Sequence, residues 1–186
     1  FRNVFDLNGK HLQARLTYAR LQHERGNLGE AYGQYLRVAE QYPDNLEARQ
    51  ALTDMAIEAN DWDEIRRHGS EVIKLAPDQP MSRAISALLD YQAAVVAQDR
   101  GAAADPAARL QALLEANPED KALARVAYRV LIDRALTGTD PDQALPLLDQ
   151  AVALEPNRLD WQMLKLRLML GKGNDAAVGQ QLTEMQ

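Results

Sequence analysis

Cysteine is absent from the 186 residues of this chain, which excludes a disulfide framework and leaves both a reducing and an oxidising compartment open, cytoplasm and periplasm alike. Basic charge is in the minority. Lys and Arg number 21 against 27 Asp and Glu, a formal net charge of −6, and only Arg66-Arg67 stand side by side. Binding to DNA or RNA usually shows as a basic stripe, so no nucleic-acid partner is expected. No apolar run approaches the roughly 18 residues of a membrane span, so this segment is not expected to insert into a bilayer. Sustained period-2 alternation is missing too, while Ala, Leu, Glu, Arg and Gln dominate. That composition predicts an all-α protein. Of the 21 basic residues 16 are Arg, which together with the abundant alanine points to a bacterium with a GC-rich genome.

What the chain does have is a period. Pro43 and Pro77 are 34 residues apart, and the residues before them repeat in step. A unit of that length is one helix-turn-helix that cannot bury its apolar face alone and must stack on its neighbours. In the first unit, apolar stripes at helical spacing run through Leu12, Tyr18, Ala19 and Leu21, then through Leu28, Ala31, Tyr35 and Val38. Gly26-Asn27 supplies the permissive backbone for the turn between them, and Pro43 ends the second helix because it has no amide proton to continue it. The second unit places Leu52, Ala56, Asn60, Trp62, Ile65, Gly69, Val72 and Pro77 at the equivalent offsets.

With Tyr18-Ala19, Gly26, Ala31, Tyr35 and Pro43 in these places, the chain resembles the tetratricopeptide repeat family, of bacterial type. The resemblance implies a right-handed α-solenoid, a superhelix of stacked antiparallel helix pairs. In the second unit Asn60 replaces the turn glycine, Ile65 the small alanine and Gly69 the aromatic residue, departures that suggest looser packing there. Five repeats are expected, at 12–45, 46–79, 80–119, 120–157 and 158–186, with 1–11 as the tail of a preceding repeat, all forming one domain. The third is stretched, because Pro118 falls 41 residues after Pro77. The surplus predicts a longer first helix, from about Met81 to Gln98, then a loop from Gly101, with Pro106 in the first turn of the next helix. Phe1, Val4 and Leu7 read as the end of a repeat whose first helix is missing, and the chain stops at Leu182 to Gln186 without a polar capping helix, so the natural protein is expected to extend beyond both ends.

No catalytic or cofactor constellation is visible, so no enzyme activity and no cofactor or metal is expected. His11, His23 and His68 are dispersed, without an i, i+4 pair, and read as solvated or capping side chains. Gly171-Lys172-Gly173-Asn174 only faintly suggests a phosphate loop and reads as a helix-helix turn. Acidic residues at Asp61, Asp63, Glu119 and Asp120 read as helix caps at favourable dipole ends.

The resemblance implies recognition by surface: the first helix of each pair would line a concave groove that holds a peptide or helix of a partner protein. Carried over by register, the groove positions are Gln13, Leu16, Arg20, His23 and Glu24, then Glu47, Gln50, Asp54, Ile57 and Glu58, a polar half. The apolar half is Tyr128, Leu131 and Ile132, then Leu166, Met169 and Leu170. The family's clamp for acidic chaperone tails needs Lys and Asn where this chain has Leu16, Arg20 and Ala51, so such tails are not the expected ligand. The helix around Leu164, Leu166, Leu168, Met169 and Leu170 is apolar on more than one face, which means either burial on several faces or an exposed patch for a partner or a second copy of the chain. The functional expectation is a non-catalytic interaction scaffold. A spacer or self-associating module within a larger envelope, secretion or assembly protein is the alternative.

Overall fold

The computed structural model describes residues 11–138 and 141–171. Among them are nine α-helices and one short 3₁₀ turn, and no strand. The chain divides into two compact units, Phe1–Ser86 and Ala87–Gln186. Each is an all-α stack of helix hairpins, the solenoid class. The expected first helix and fifth second helix, at Phe1 to Leu7 and Leu182 to Gln186, lie outside the described residues, as does most of the Gly171 to Asn174 turn.

The first unit contains α1 (Leu12–Glu24), α2 (Leu28–Gln41), α3 (Leu46–Ala59), α4 (Trp62–Leu75) and the beginning of α5 (Pro80–Val96). Its core threads one helix after another: Leu16 and Ala19 from α1, Tyr35 and Val38 from α2, Leu52 and Met55 from α3 form a continuous buried cluster. Two kinds of punctuation set the hairpins. The helices α1, α3 and α5 each end on a left-handed residue, Gly26 (φ 76°), Asn60 (φ 59°) and Gln98 (φ 57°). At each of the three ends the amide of the following residue bonds back five residues, Asn27 to Gln22, Asp61 to Ala56 and Asp99 to Ala94, all at 2.9 Å, which satisfies carbonyls the helix would otherwise orphan. The second helices stop differently. Tyr42, Ala76, Asn117 and Glu155 leave the helix with φ between −132° and −146°, and each precedes a proline, whose ring pushes its neighbour out of the α region.

The looseness expected at the second repeat, 46–79, is not found, and the side chains show why. Asn60 tolerates the left-handed turn as glycine would, and Ile65 is fully buried. Gly69 brings two helices closer rather than leaving a gap, since a Cβ there would stand 2.8 Å from Ile85 Cγ2 on α5 and 3.5 Å from Thr53 Cγ2 on α3. His68 is a second correction, being neither solvated nor a cap. It is 0% exposed and sits between Arg49 Nη1, 3.0 Å from its Nδ1, and Glu64 Oε2, 3.0 Å from its Nε2. Because a guanidinium can only donate, Nδ1 is the acceptor and the proton belongs on Nε2. The Nε2 line to Glu64 is off the direction a hydrogen bond needs, so the contact is an electrostatic one. Tyr32 donates to Glu64 Oε2 at 2.7 Å, and Arg49 Nη2 also donates to Ala39 O at 3.2 Å. This buried polar network ties α2, α3 and α4 together.

The second unit continues α5 and adds α6 (Ala104–Ala116), α7 (Lys121–Thr137), the 3₁₀ turn Pro141–Gln143, α8 (Ala144–Leu154) and α9 (Leu159–Gly171). The left-handed stop of α5 falls 38 residues after Asn60 rather than 34, which adds about one helical turn of 3.6 residues to α5. The rest of the surplus lies in the connection to α6, where Asp99 Oδ1 accepts from the Ala102 amide at 2.9 Å. Pro106 occupies the first turn of α6 as expected. Tyr91 on α5 donates to Asp133 on α7 at 2.8 Å, and Arg109 on α6 reaches Asp90 on α5 at 2.6 Å. Leu110, Leu123, Val126, Val130 and Leu148 fill the core between these helices.

Candidate functional site

The starts of α1, α3, α4 and α7 are capped by the side chain that precedes each. Asn45 accepts from the Ala48 amide at 2.9 Å, Asp61 from Asp63 and Glu64 at 3.2 Å, and Asp120 from Leu123 at 3.0 Å. His11 does the same for Ala14 at 3.2 Å. These carboxylates are thereby occupied locally. Among the described residues no group of three or more His, Asp or Glu side chains could hold a metal ion, and no helix is long and apolar enough to cross a membrane.

The polar positions singled out in the first unit lie on the outer faces of α1 and α3. Gln13 and Arg20 are exposed, His23, Gln50 and Asp54 are half-buried. Arg20 Nε pairs with Glu47 Oε1 at 3.1 Å, joining α1 to α3 across the face, while Gln50 donates to Gln79 Oε1 at 3.2 Å. Two of the neighbouring positions do not reach the surface: Leu16 and Ile57 are buried. Sequence reasoning placed Tyr35 only in the core. The structure puts it between α1 and α3, in the company of Arg20, Glu24, Glu47 and Asp54. The available signal was the tyrosine itself, because a purely apolar position does not require a hydroxyl.

The apolar positions of the second unit are mostly part of its own packing. Tyr128, Leu131, Ile132 and Leu166 are all buried. Tyr128 donates to Gln150 Oε1 at 3.3 Å and meets the Trp161 ring edge-on, centroids 6.0 Å apart; burial raises its phenol pKa. The Arg158 guanidinium lies over the Trp161 ring, 4.8 Å from its centroid. Glu155 accepts from Arg125 Nε at 2.8 Å, and that guanidinium holds its carboxyl below the usual range. Met169 is half-buried and Leu170 exposed. Leu170 shares a stripe of α9 with Leu159 and Met163, both exposed, because residues four and eleven apart fall within about 40° of one another at 3.6 residues per turn.

No protein-family model matches the chain, and no curated protein does. Solved structures resemble it at low identity. A structure described as YrrB, a TPR protein with an unusual peptide-binding site, is 14% identical with a TM-score of 0.49, over 100% of this chain and 90% of that one. A MamA protein structure is 16% identical with a TM-score of 0.47, over 95% of this chain and 91% of that one. A second MamA structure is 15% identical with a TM-score of 0.45, covering 96% and 91%.

Proposed function

We propose that this chain is a non-catalytic interaction scaffold that holds a peptide or helix of a partner protein against the first helices of its hairpins. The observation that carries this reading is the face of α1 and α3. Exposed and half-buried polar side chains, Gln13, Arg20, His23, Gln50 and Asp54, stand on a core that is packed without interruption beneath them. Such a face is preorganised, because the helices that carry it are fixed by burial and by the Arg49, His68, Glu64 and Tyr32 network. Binding to it costs little ordering of the scaffold. In the second unit Met169 and Leu170 are positions of the proposed groove with side chains open to solvent, whereas Tyr128, Leu131 and Leu166 are buried beneath.

Selection of displayed 12-residue peptides on the intact chain, followed by titration of the enriched sequences, tests this. A variant with Gln13, His23 and Gln50 changed to alanine is expected to bind those peptides at least about tenfold more weakly, a loss of 1.4 kcal/mol, with unchanged helical circular dichroism. Enrichment of no peptide, or of peptides that bind the variant equally well, would refute it.

A further inference from the structure

The side chains of α9 fall into two groups. One face is fixed within its own unit: Trp161 and Gln162 are buried, and Lys165 pairs with Asp149 on α8 at 2.9 Å. Another face carries Leu159, Met163 and Leu170, 64%, 51% and 54% exposed, with the buried Leu166 between the last two. These four residues are spaced four, three and four apart, as alternating d and a positions of a heptad are. At 3.6 residues per turn they lie within about 60° of one another.

In the first unit the corresponding places are covered. Leu12 and Leu16 are the first and fifth residues of α1, as Leu159 and Met163 are of α9. Leu16 is 2% exposed and belongs to a cluster with Leu52 and Met55 of α3, against which Leu12 is also packed. Among the described residues no helix follows α9, and its stripe has the form of a helix-receiving surface without the helix.

The charges beside the stripe discriminate between occupants. Asp160 and Arg167 lie on one flank, each one residue beyond a d position. Asp160 pairs with Arg158 at 3.0 Å, and its side chain stays 59% exposed. Arg167 is exposed and makes no ion pair among the described residues. Two copies of α9 running antiparallel set Leu159 against Leu170 of the other copy and Met163 against its Leu166. In that register equivalent flanks face each other, so Asp160 stands opposite Arg167 of the other copy and Arg167 opposite its Asp160. A carboxylate has lone pairs enough for two guanidinium groups, so Arg158 keeps its place. Parallel copies would instead set this flank against the one that holds Gln162 and Met169, and both charges would go unmatched.

We infer that the Leu159, Met163 and Leu170 stripe of α9 is a self-association surface, on which a second copy of this chain docks antiparallel about a two-fold axis with Asp160 and Arg167 reciprocally paired. A two-fold contact requires a patch complementary to itself. The apolar order and the charge order of α9 both meet that requirement, and a partner of arbitrary sequence would match neither. Three exposed apolar side chains per copy make a contact well below the roughly 1,200 Å² of stable complexes, so the dissociation constant is expected at about 0.1 mM. Self-pairing of this kind does not depend on the scaffold function proposed above.

Sedimentation equilibrium of the intact chain from about 10 to 500 µM tests it, because mass action makes the paired fraction rise with concentration. The weight-average mass is expected to climb from monomer toward dimer and no further. Met163→Glu should weaken association at least about tenfold by placing a charge in the apolar seam, while leaving the melting temperature at about 5 µM unchanged, since in the monomer the stripe faces water. Asp160→Arg and Arg167→Asp each oppose like charges and should weaken association about three- to fivefold. An equimolar mixture of those two variants should regain the association of the unaltered chain, because each supplies the charge the other lacks. No association at the highest concentration, growth past the dimer, or association that Met163→Glu leaves intact would overturn the assignment. So would a lower melting temperature of Met163→Glu in the dilute monomer, which would show the stripe to be covered within one chain. No recovery in the mixture would overturn the antiparallel pairing.

Discussion

Gly69→Ala should destabilise the first unit even though the same change elsewhere in these helices should stabilise it. Gly69 lies within α4, and replacing a helix-interior glycine by alanine is worth about 1 kcal/mol in intrinsic propensity. At this position the new methyl would stand 2.8 Å from Ile85 Cγ2, about 0.7 Å inside the closest comfortable carbon contact. Ile85 cannot swing aside cheaply. Its Cγ2 is attached directly to Cβ, a β-branched residue in a helix has essentially one χ1 well, and the side chain is fully buried. The helices must separate instead, which for an added methylene in a packed core costs about 1–3 kcal/mol. The net expectation is a loss of about 1 kcal/mol, a fall of roughly 2–4 °C in melting temperature. Gly33→Ala on α2 meets no atom within 4 Å and should raise it by a similar amount. Thermal and urea unfolding followed by circular dichroism at 222 nm measures both. Adding Ile85→Ala removes the obstructing methyl, so in that background Gly69→Ala should become stabilising, a coupling of about 2 kcal/mol between the two sites. If Gly69→Ala and Gly33→Ala shift the transition equally and in the same direction, the close α4–α5 packing described above is wrong.

Three further outcomes are expected. Burial lowers the His68 pKa below its ordinary 6.5, with Glu64 opposing the shift and Arg49 adding to it. The folded state therefore binds fewer protons than the unfolded one just below that pH, so stability is full above pH 6.5 and erodes as the pH falls toward the lowered folded value. The urea midpoint should drop between pH 7.5 and pH 5.5, and His68→Asn, which keeps an acceptor for Arg49, should flatten that slope; an unchanged slope would locate the effect elsewhere. Asn60→Ala, which places a Cβ-bearing residue without a local polar group at φ 59°, should cost about 1 kcal/mol while Asn60→Gly costs less or nothing, as read from the same melts. On α9, Leu166→Glu should lower the melting temperature markedly because the side chain is 8% exposed, whereas Met163→Glu, at 51% exposure, should leave it unchanged; equal effects would show that the two burials are misassigned.

Much of the fold was legible because it rests on rules that act within a few residues. Proline at 43, 77, 118 and 156 removes an amide donor and restrains the residue before it, so the second helices had to stop where they do. Glycine or asparagine at 26 and 60 could occupy a left-handed turn, and the 34-residue spacing followed from the two stops together. Gln98 was the exception: nothing in its own preference announces a left-handed residue, and only the downstream slip of Pro118 showed that α5 was longer. The capping roles of Asp61, Asp120 and His11 were likewise local and readable.

The candidate site was legible only in part, because a face is defined by which sides of separate helices meet. Register along α1 and α3 identified Arg20, Asp54 and their neighbours, but it could not distinguish a surface leucine from the buried Leu16, nor show that Tyr128 and Leu166 are engaged by Gln150, Trp161 and the second unit's own core. Gly69 illustrates the difference best: taken alone it is a missing aromatic side chain, and in the packed unit it is the space that Ile85 fills. The order of helices and turns belongs to the sequence, since sterics and backbone hydrogen bonding act on adjacent residues. The burial of His68 and the turning inward of Arg15 and Arg49 belong to the tertiary structure, since they depend on desolvation and charge pairing between side chains that only packing brings into contact.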